Sequence, residues 1–411
     1  MPTVVALVAA MAVVLTSCTA EADVRASGGG GGRKAAARED RGAVRTAVRR
    51  LVTDGEAPGA AALVRDGGVT RFTTAGVADT RSGRRIQRDD HFRAGSVTKT
   101  VIAALTLRLS GEGRLDLSDT VEKHLPGLVR GHGNNGRKIT LRQLLTHTSG
   151  LFDYTADPVL ARRLSATDGA DSADDTKRYD PAFLVRTALA HRPAFAPGAK
   201  WGYSNTNYVL LGMVVEQVTG RSYATEAERR VLGPLALRDT SFPGARTTLP
   251  APHGIGYDSR GGAWRDVTDL DPSSAGAAGE MISTLDDLSR FLGALLRGKA
   301  VPEAQLRRME DTSASGGRYG MGLFPVKLPC GRTVWGHNGQ VNGSYALAVA
   351  TRDGRHTLVY RLNSAGPPDP DAENALLTAE FCPARPPGSA SRDSPDSRVP
   401  LVGVHRPGPV A

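Results

Sequence analysis

The stretch Phe92-Arg-Ala-Gly-Ser-Val-Thr-Lys-Thr-Val-Ile-Ala-Ala-Leu-Thr-Leu-Arg-Leu-Ser110 decides how the chain is read. Val101, Ala104, Leu105, Leu107 and Leu109 leave almost no polar face at helical period, so the spacing predicts a buried helix. Gly95 permits a tight turn into it. Ser96 then falls at the helix N-terminus, and Lys99 lies one turn further on. Side chains three residues apart share a helix face.

That arrangement suits nucleophilic catalysis. A serine hydroxyl attacks weakly until a base takes its proton. A lysine crowded into an apolar site loses part of its preference for the charged form, and can act as that base or tune one. The first turn also carries N–H groups without helical acceptors, which suit a developing oxyanion. Ser-x-x-Lys alone equally describes a capped helix followed by a surface lysine, so the reading needs partners.

The partners are present. Lys99 is the only lysine with a serine three residues before it, Tyr203-Ser204-Asn205 is the only Tyr-x-Asn, and His337-Asn338-Gly339 is the only His-x-Gly. In this order they resemble the three motifs of the penicillin-recognising serine hydrolases. These are the class C β-lactamases, the Streptomyces-type D-alanyl-D-alanine carboxypeptidases, and their esterase and D-aminopeptidase relatives. The resemblance runs from about residue 45 to 382. It implies an α+β fold: an antiparallel sheet flanked by helices, plus a mostly helical part, with the site between the two.

By that resemblance Ser96 forms an acyl-enzyme, and Lys99 and Tyr203 share the general-base role, with the first proton acceptor left open. A lysine ammonium nearby is expected to favour the Tyr203 phenolate. Asn205 would hydrogen-bond Lys99 and the substrate amide. Gly339 would let a strand approach closely, and the N–H groups of Ser96 and Gln340 would form the oxyanion hole. His337 would position Tyr203 or bind a substrate carboxylate. His147, in Thr146-His-Thr-Ser-Gly-Leu151, reads as structural rather than as a base. The carboxypeptidase holds its substrate carboxylate with an arginine on the strand before His-x-Gly. Here Phe324 stands near that place, with Lys327 the nearest cation, and Asn338 and Gln340 replace hydroxyl residues. D-alanyl-D-alanine carboxypeptidase or β-lactamase-like action on peptidoglycan stem peptides or β-lactams leads, with an esterase or a silent wall-binding module as alternatives. No cofactor is implied.

The 411 residues suffice for a large core, and 40% hydrophobic with 23% charged residues is ordinary globular composition. A formal charge of +10 favours anionic surroundings such as lipid head groups or wall polymers. Scattered arginines and 5% aromatics exclude a nucleic-acid face, and scattered histidines lack metal-ligand spacing. Residues 1–18 read as an export signal ending Leu15-Thr-Ser-Cys18, which resembles a lipobox with Cys18 lipidated and the protein held at the outer membrane face. Residues 19–40 read as a flexible tether, 41–382 as the hydrolase domain, and 383–411 as a disordered Pro/Ser/Arg-rich tail. Cys330 and Cys382 then form an even pair, as a disulfide in an oxidising compartment or as two buried thiols.

Around the motifs, Ala60–Arg65 and Val69–Val77 read as a hairpin through Asp66-Gly67-Gly68, and Asp353-Gly354 marks another between 344–351 and 356–362. Thr140 and Gln143 form a capping box. Helices are expected over 38–53, 209–218, 285–296 and 372–381, and a polar surface loop over 155–180. The first and last helices should share one face of a sheet built from both chain ends.

Overall fold

A computed structural model describes residues 30–54, 57–165, 179–260, 262–366 and 368–382. Cys18, the export signal and the tail 383–411 lie outside the described residues.

The long helices are α1 (Gly30–Thr53), α2 (Thr98–Gly111), α3 (Asn205–Thr219), α4 (Leu285–Leu296) and α5 (Pro370–Phe381). The sheet strands are β1 (Gly59–Asp66), β2 (Val69–Gly76), β3 (Phe324–Lys327), β4 (Thr333–Val341), β5 (Ser344–Thr351) and β6 (Thr357–Leu362). They form one antiparallel sheet in the order β2-β1-β6-β5-β4-β3. Both expected hairpins are present. Their turns use the left-handed glycines Gly67 and Gly68, with φ of +53° and +86°, and Gly354, with φ of +63°.

β1 joins the two ends of the chain, with Ala60 opposite Leu362 and Arg65 opposite Thr357 on β6. Side-chain alternation then sorts the core into two layers. Ala60, Ala62 and Val64, with Leu358, Tyr360 and Leu362, pack under Val48 and Leu51 of α1 and Leu376 and Leu377 of α5. Ala61, Leu63, Ala346, Ala348 and Val359 face the other way, into a cluster shared with α2, α3 and α4. Every residue of α2 from Thr98 to Leu107 is buried. That helix is the core of the helical part, as its unbroken apolar surface required.

Thr140 accepts from Gln143 N–H while the Gln143 side chain accepts from Thr140 N–H, closing the expected box. Two expectations are corrected. α1 starts at Gly30, inside the stretch expected to be a tether. Its Ala35-Ala36-Ala37 run, with Arg, Lys and Glu around it, has high helix propensity. The presumed loop after 155 opens with a helix, Pro158–Ser165, whose N-terminus is held by Asp157 Oδ1 accepting from Val159 (3.0 Å) and Leu160 (2.8 Å) N–H. Pro at a first helical turn and Asp before it are start signals that the polar composition hid.

Cys330, in the β3–β4 turn, is disulfide-bonded to Cys382 just past α5, so the last helix is tied to the sheet across 52 residues of sequence. Closing a loop of that length stabilises chiefly by restricting the unfolded chain. Replacing both cysteines by serine is expected to lower stability by about 2–4 kcal/mol in urea denaturation.

Candidate active site

The site lies where the sheet edge meets the helical part. Gly95 (φ +53°) bends the chain from the short strand Phe92–Arg93 into a single 3-10 turn, Gly95–Val97, which runs straight into α2. β4 presses against this turn. A Cβ on Gly339 would stand 1.9 Å from Ala94 O and 2.8 Å from Ser96 N, and one on Gly95 would stand 2.5 Å from Gln340 N. Two glycines facing each other thus let the backbone of Ser96 and that of Gln340 come together.

Lys99 is fully buried, and its Nζ meets three acceptors: Ser96 Oγ at 2.9 Å, Asn205 Oδ1 at 2.8 Å and Ala278 O at 2.6 Å. It also lies 4.9 Å from the centre of the Tyr203 ring. Burial pulls the Lys99 pKa down to about 7, against the opposing pull of Asp153. Near neutral pH the amine and ammonium forms are therefore both populated.

Asn205 begins α3, directly after Tyr203-Ser204. Its Nδ2 donates to Asp153 Oδ2 at 3.0 Å while its Oδ1 faces Lys99. A carboxylate on one side and an amine on the other leave the amide a single sensible orientation. Asp153 was not singled out in the sequence. It is also the cap of a one-turn 3-10 helix, accepting from Thr155 N–H, and a loop aspartate of that kind has no distinctive pattern. The Ala278 carbonyl was missed for a plainer reason, since a backbone group carries no side-chain signal.

Tyr203 is held by rings. His147 stacks on it at 4.3 Å and Tyr319 meets it edge-on at 6.4 Å. His147 is fully buried, and its Nδ1 accepts from Ser204 N–H (3.2 Å) and Asn207 Nδ2 (3.1 Å), so it braces the Tyr203 loop as a structural residue. The expected phenolate is corrected: burial pushes the Tyr203 pKa well up, and its hydrogen bond with Ser96 only partly opposes that. With Lys99 itself easily deprotonated, no full positive charge offsets the cost of burying a phenolate.

His337 is 2% exposed and turns away from the cleft. Its Nδ1 donates to Asn338 O at 2.5 Å, leaving Nε2 to accept from the Tyr319 hydroxyl at 2.9 Å. Burial first, and the Lys99 charge second, lower its pKa to about 3. A neutral imidazole without access to the cleft has no charge to offer a carboxylate, so the positioning role is the one the geometry supports. It acts through Tyr319 onto Tyr203. Phe324 packs on the His337 ring at 5.3 Å, and Lys327 sits opposite Thr333, three residues further along the strand.

A cleft of about 310 Å³ opens over Ser96, Tyr203 and Asn205. Asn338, Gly339 and Gln340 form one wall, and Tyr154 and Leu164 belong to the other. Asp271, Glu280 and Arg93 also border it. Glu280 accepts from the Tyr223 hydroxyl at 2.5 Å. Among the described residues no cluster of His, Cys, Asp and Glu is arranged to hold a metal ion.

A cleft-facing serine paired with a buried lysine, with a tyrosine beside them at the seam of an α+β fold, defines a serine hydrolase. The chain belongs to the Beta-lactamase family, whose model matches residues 44–382. It is similar to a D-stereospecific amidohydrolase from Streptomyces sp., at 46% identity over 84% of this chain and 99% of that one, with a TM-score of 0.76. It resembles a D-amino acid amidase from Ochrobactrum anthropi SV3, at 25% identity over 83% and 98% of the two chains, with a TM-score of 0.70. It also resembles the esterase EstB of Burkholderia gladioli, at 36% identity over 48% of each chain. The chain spans about half the length of the curated relatives it matches.

Asp153 raises the Lys99 pKa, so Asp153→Asn removes that support. The acid limb of kcat/KM is expected to move below pH 7, while activity falls about 10- to 100-fold as Asn205 loses its fixed orientation. A pH–rate profile of the variant checks both.

Proposed function

We propose that the protein hydrolyses amides whose acyl part is a D-configured amino acid residue, through an acyl-enzyme on Ser96. The observation that carries this is the set of hydrogen bonds around Lys99, read together with 46% identity to a D-stereospecific amidohydrolase over nearly the whole of that chain.

A neutral amine has two hydrogens and one lone pair. Asn205 Oδ1 and Ala278 O can only accept, so they take both hydrogens. The lone pair is left facing Ser96 Oγ. Lys99 is thus the group that takes the first proton. The Ser96 oxygen bonds to the carbonyl carbon, and the carbonyl oxygen becomes an oxyanion held by the N–H groups of Ser96 and Gln340. As the C–N bond breaks, the proton on Lys99 passes to the leaving amine, with the Tyr203 hydroxyl, hydrogen-bonded to Ser96, as relay. Water then attacks the ester, its proton travels the same path back to Ser96, and the acid leaves. Asp271 and Glu280 beside the cleft suit an acyl group that carries an ammonium. The same surroundings do not favour a carboxylate-ended peptide, since Phe324 occupies the place of the carboxypeptidase arginine. Ester hydrolysis is the second reading, supported by the similarity to EstB.

D- and L-phenylalanine p-nitroanilides, with p-nitrophenyl butyrate beside them, separate the readings. The expected result is at least about tenfold higher kcat/KM for the D-anilide, rising with pH through about 7 as Lys99 loses its proton. Ser96→Ala should lower turnover by about 1000-fold or more. Equal rates on both enantiomers would remove the D-specific reading, and turnover of the ester alone would install the esterase.

The same proposal places the protein outside the cytoplasm, anchored through a lipid on Cys18. The Cys330–Cys382 disulfide supports an oxidising compartment. In an exporting bacterial host, metabolic labelling with palmitate should mark the wild type and leave Cys18→Ala unlabelled and released. Equal labelling of the two would reject the anchor.

A further inference from the structure

Beside the nucleophile turn, next to the cleft and sharing Arg93 and Asn342 with its lining, two arginines are buried in one small cavity. Arg93 is 4% exposed and Arg361 3% exposed, and both line a cavity of about 20 Å³ together with His91, Thr268, Asn342 and Ser344. Arg361 projects from β6 and stacks its guanidinium 4.9 Å from the Phe92 ring centre. Arg93 spends only Nη2 on protein acceptors, Thr247 O and, at 3.2 Å, Thr268 O. Nε and Nη1 of both arginines are buried and find no acceptor among the described residues.

No carboxylate lines this cavity. Asp269 and Asp271 act on Arg93, and Asp90 on Arg361, through charge alone, and none of them is a hydrogen-bond partner of either guanidinium among the described residues. Asp90 takes Arg84 Nη1 at 3.0 Å and Gln87 N–H at 2.9 Å, and Asp271 Oδ1 caps a turn through Ser273 N–H at 2.9 Å. His91 Nδ1 donates to Pro252 O, so that face of the ring supplies no acceptor to the cavity. Four buried N–H groups without an acceptor leave part of the cost of burying the two guanidinium groups uncompensated, and one small anion accepting from both would offset it. A water molecule accepts two hydrogen bonds and brings no charge. A volume of about 20 Å³ is enough to admit a particle of water or halide size.

We propose that the Arg93–Arg361 cavity is a binding site for a small monovalent anion of the halide class, chloride in ordinary media. The ion neutralises the pair and locks β6 to the strand that delivers Ser96, since Arg93 lies three residues before the nucleophile. The site adjoins the acyl-transfer cleft, sharing Arg93 and Asn342 with its lining, and does not depend on which substrate that cleft takes.

Crystals of the wild-type chain soaked in sodium bromide, measured at the bromine edge, should show an anomalous peak between the two guanidinium groups. In solution, replacing isethionate by bromide at constant ionic strength should raise Tm by about 2 °C or more once bromide exceeds its Kd roughly tenfold. Arg361→Met should abolish the bromide dependence, and the wild-type crystal remains informative if that variant folds poorly. Density without anomalous signal, or an equal Tm response of wild type and Arg361→Met, would overturn the proposal in favour of a buried water.

Discussion

Lys99 is fully buried with all three of its polar contacts satisfied, and the rest of the site follows from that. An ammonium taken out of water is destabilised by several kcal/mol unless its hydrogens are met. Here they are met by a serine oxygen, an amide oxygen and a backbone carbonyl drawn from three separate parts of the chain. The compensation is incomplete, because none of the three carries charge. That deficit brings the pKa to about 7 and makes the group a usable base. Asp153 restores some of the balance through Asn205, without touching the lysine in any hydrogen bond of its own.

The same burial explains why the neighbouring titratable groups stay neutral. Tyr203 and Tyr319 are pushed up and His337 is pushed down, each chiefly by desolvation. The result is a packed set of aromatic and imidazole rings around one movable proton. His147 and Tyr319 fix Tyr203 by stacking and edge contact, so the hydroxyl over Ser96 is positioned by shape rather than by charge. A site built this way suits acyl transfer, in which a proton moves over short distances while water is kept from most of the machinery.

The sheet gives this arrangement its rigidity. Gly339 on β4 and Gly95 before α2 allow a backbone approach that any side chain would prevent. β4 is in turn held between β5 and β3, and the disulfide fastens the β3–β4 turn to the last helix. The first and last described helices, α1 and α5, meet on the face opposite the helical part, and the strand that shapes the cleft is braced from both sides.

Ser96, Lys99, Tyr203 and Asn205 were legible in the amino-acid sequence because each belongs to a short motif, and short motifs are local. The α2 helix, the hairpins and the Thr140 capping box were legible for the same reason: periodicity and turn chemistry act within a few residues. Asp153, Ala278 and the arginine pair were not, since their importance arises from neighbours 52 or more residues away, or from a carbonyl that every residue possesses. The charge states were the least legible of all. A phenolate at Tyr203 and a carboxylate-binding His337 are reasonable when only the residue types are known. Depth of burial overturns both, and depth is a property of the packed chain. The sequence by itself determined which chemistry was available; the tertiary structure decided which groups hold protons, because only packing sets how far each one lies from water.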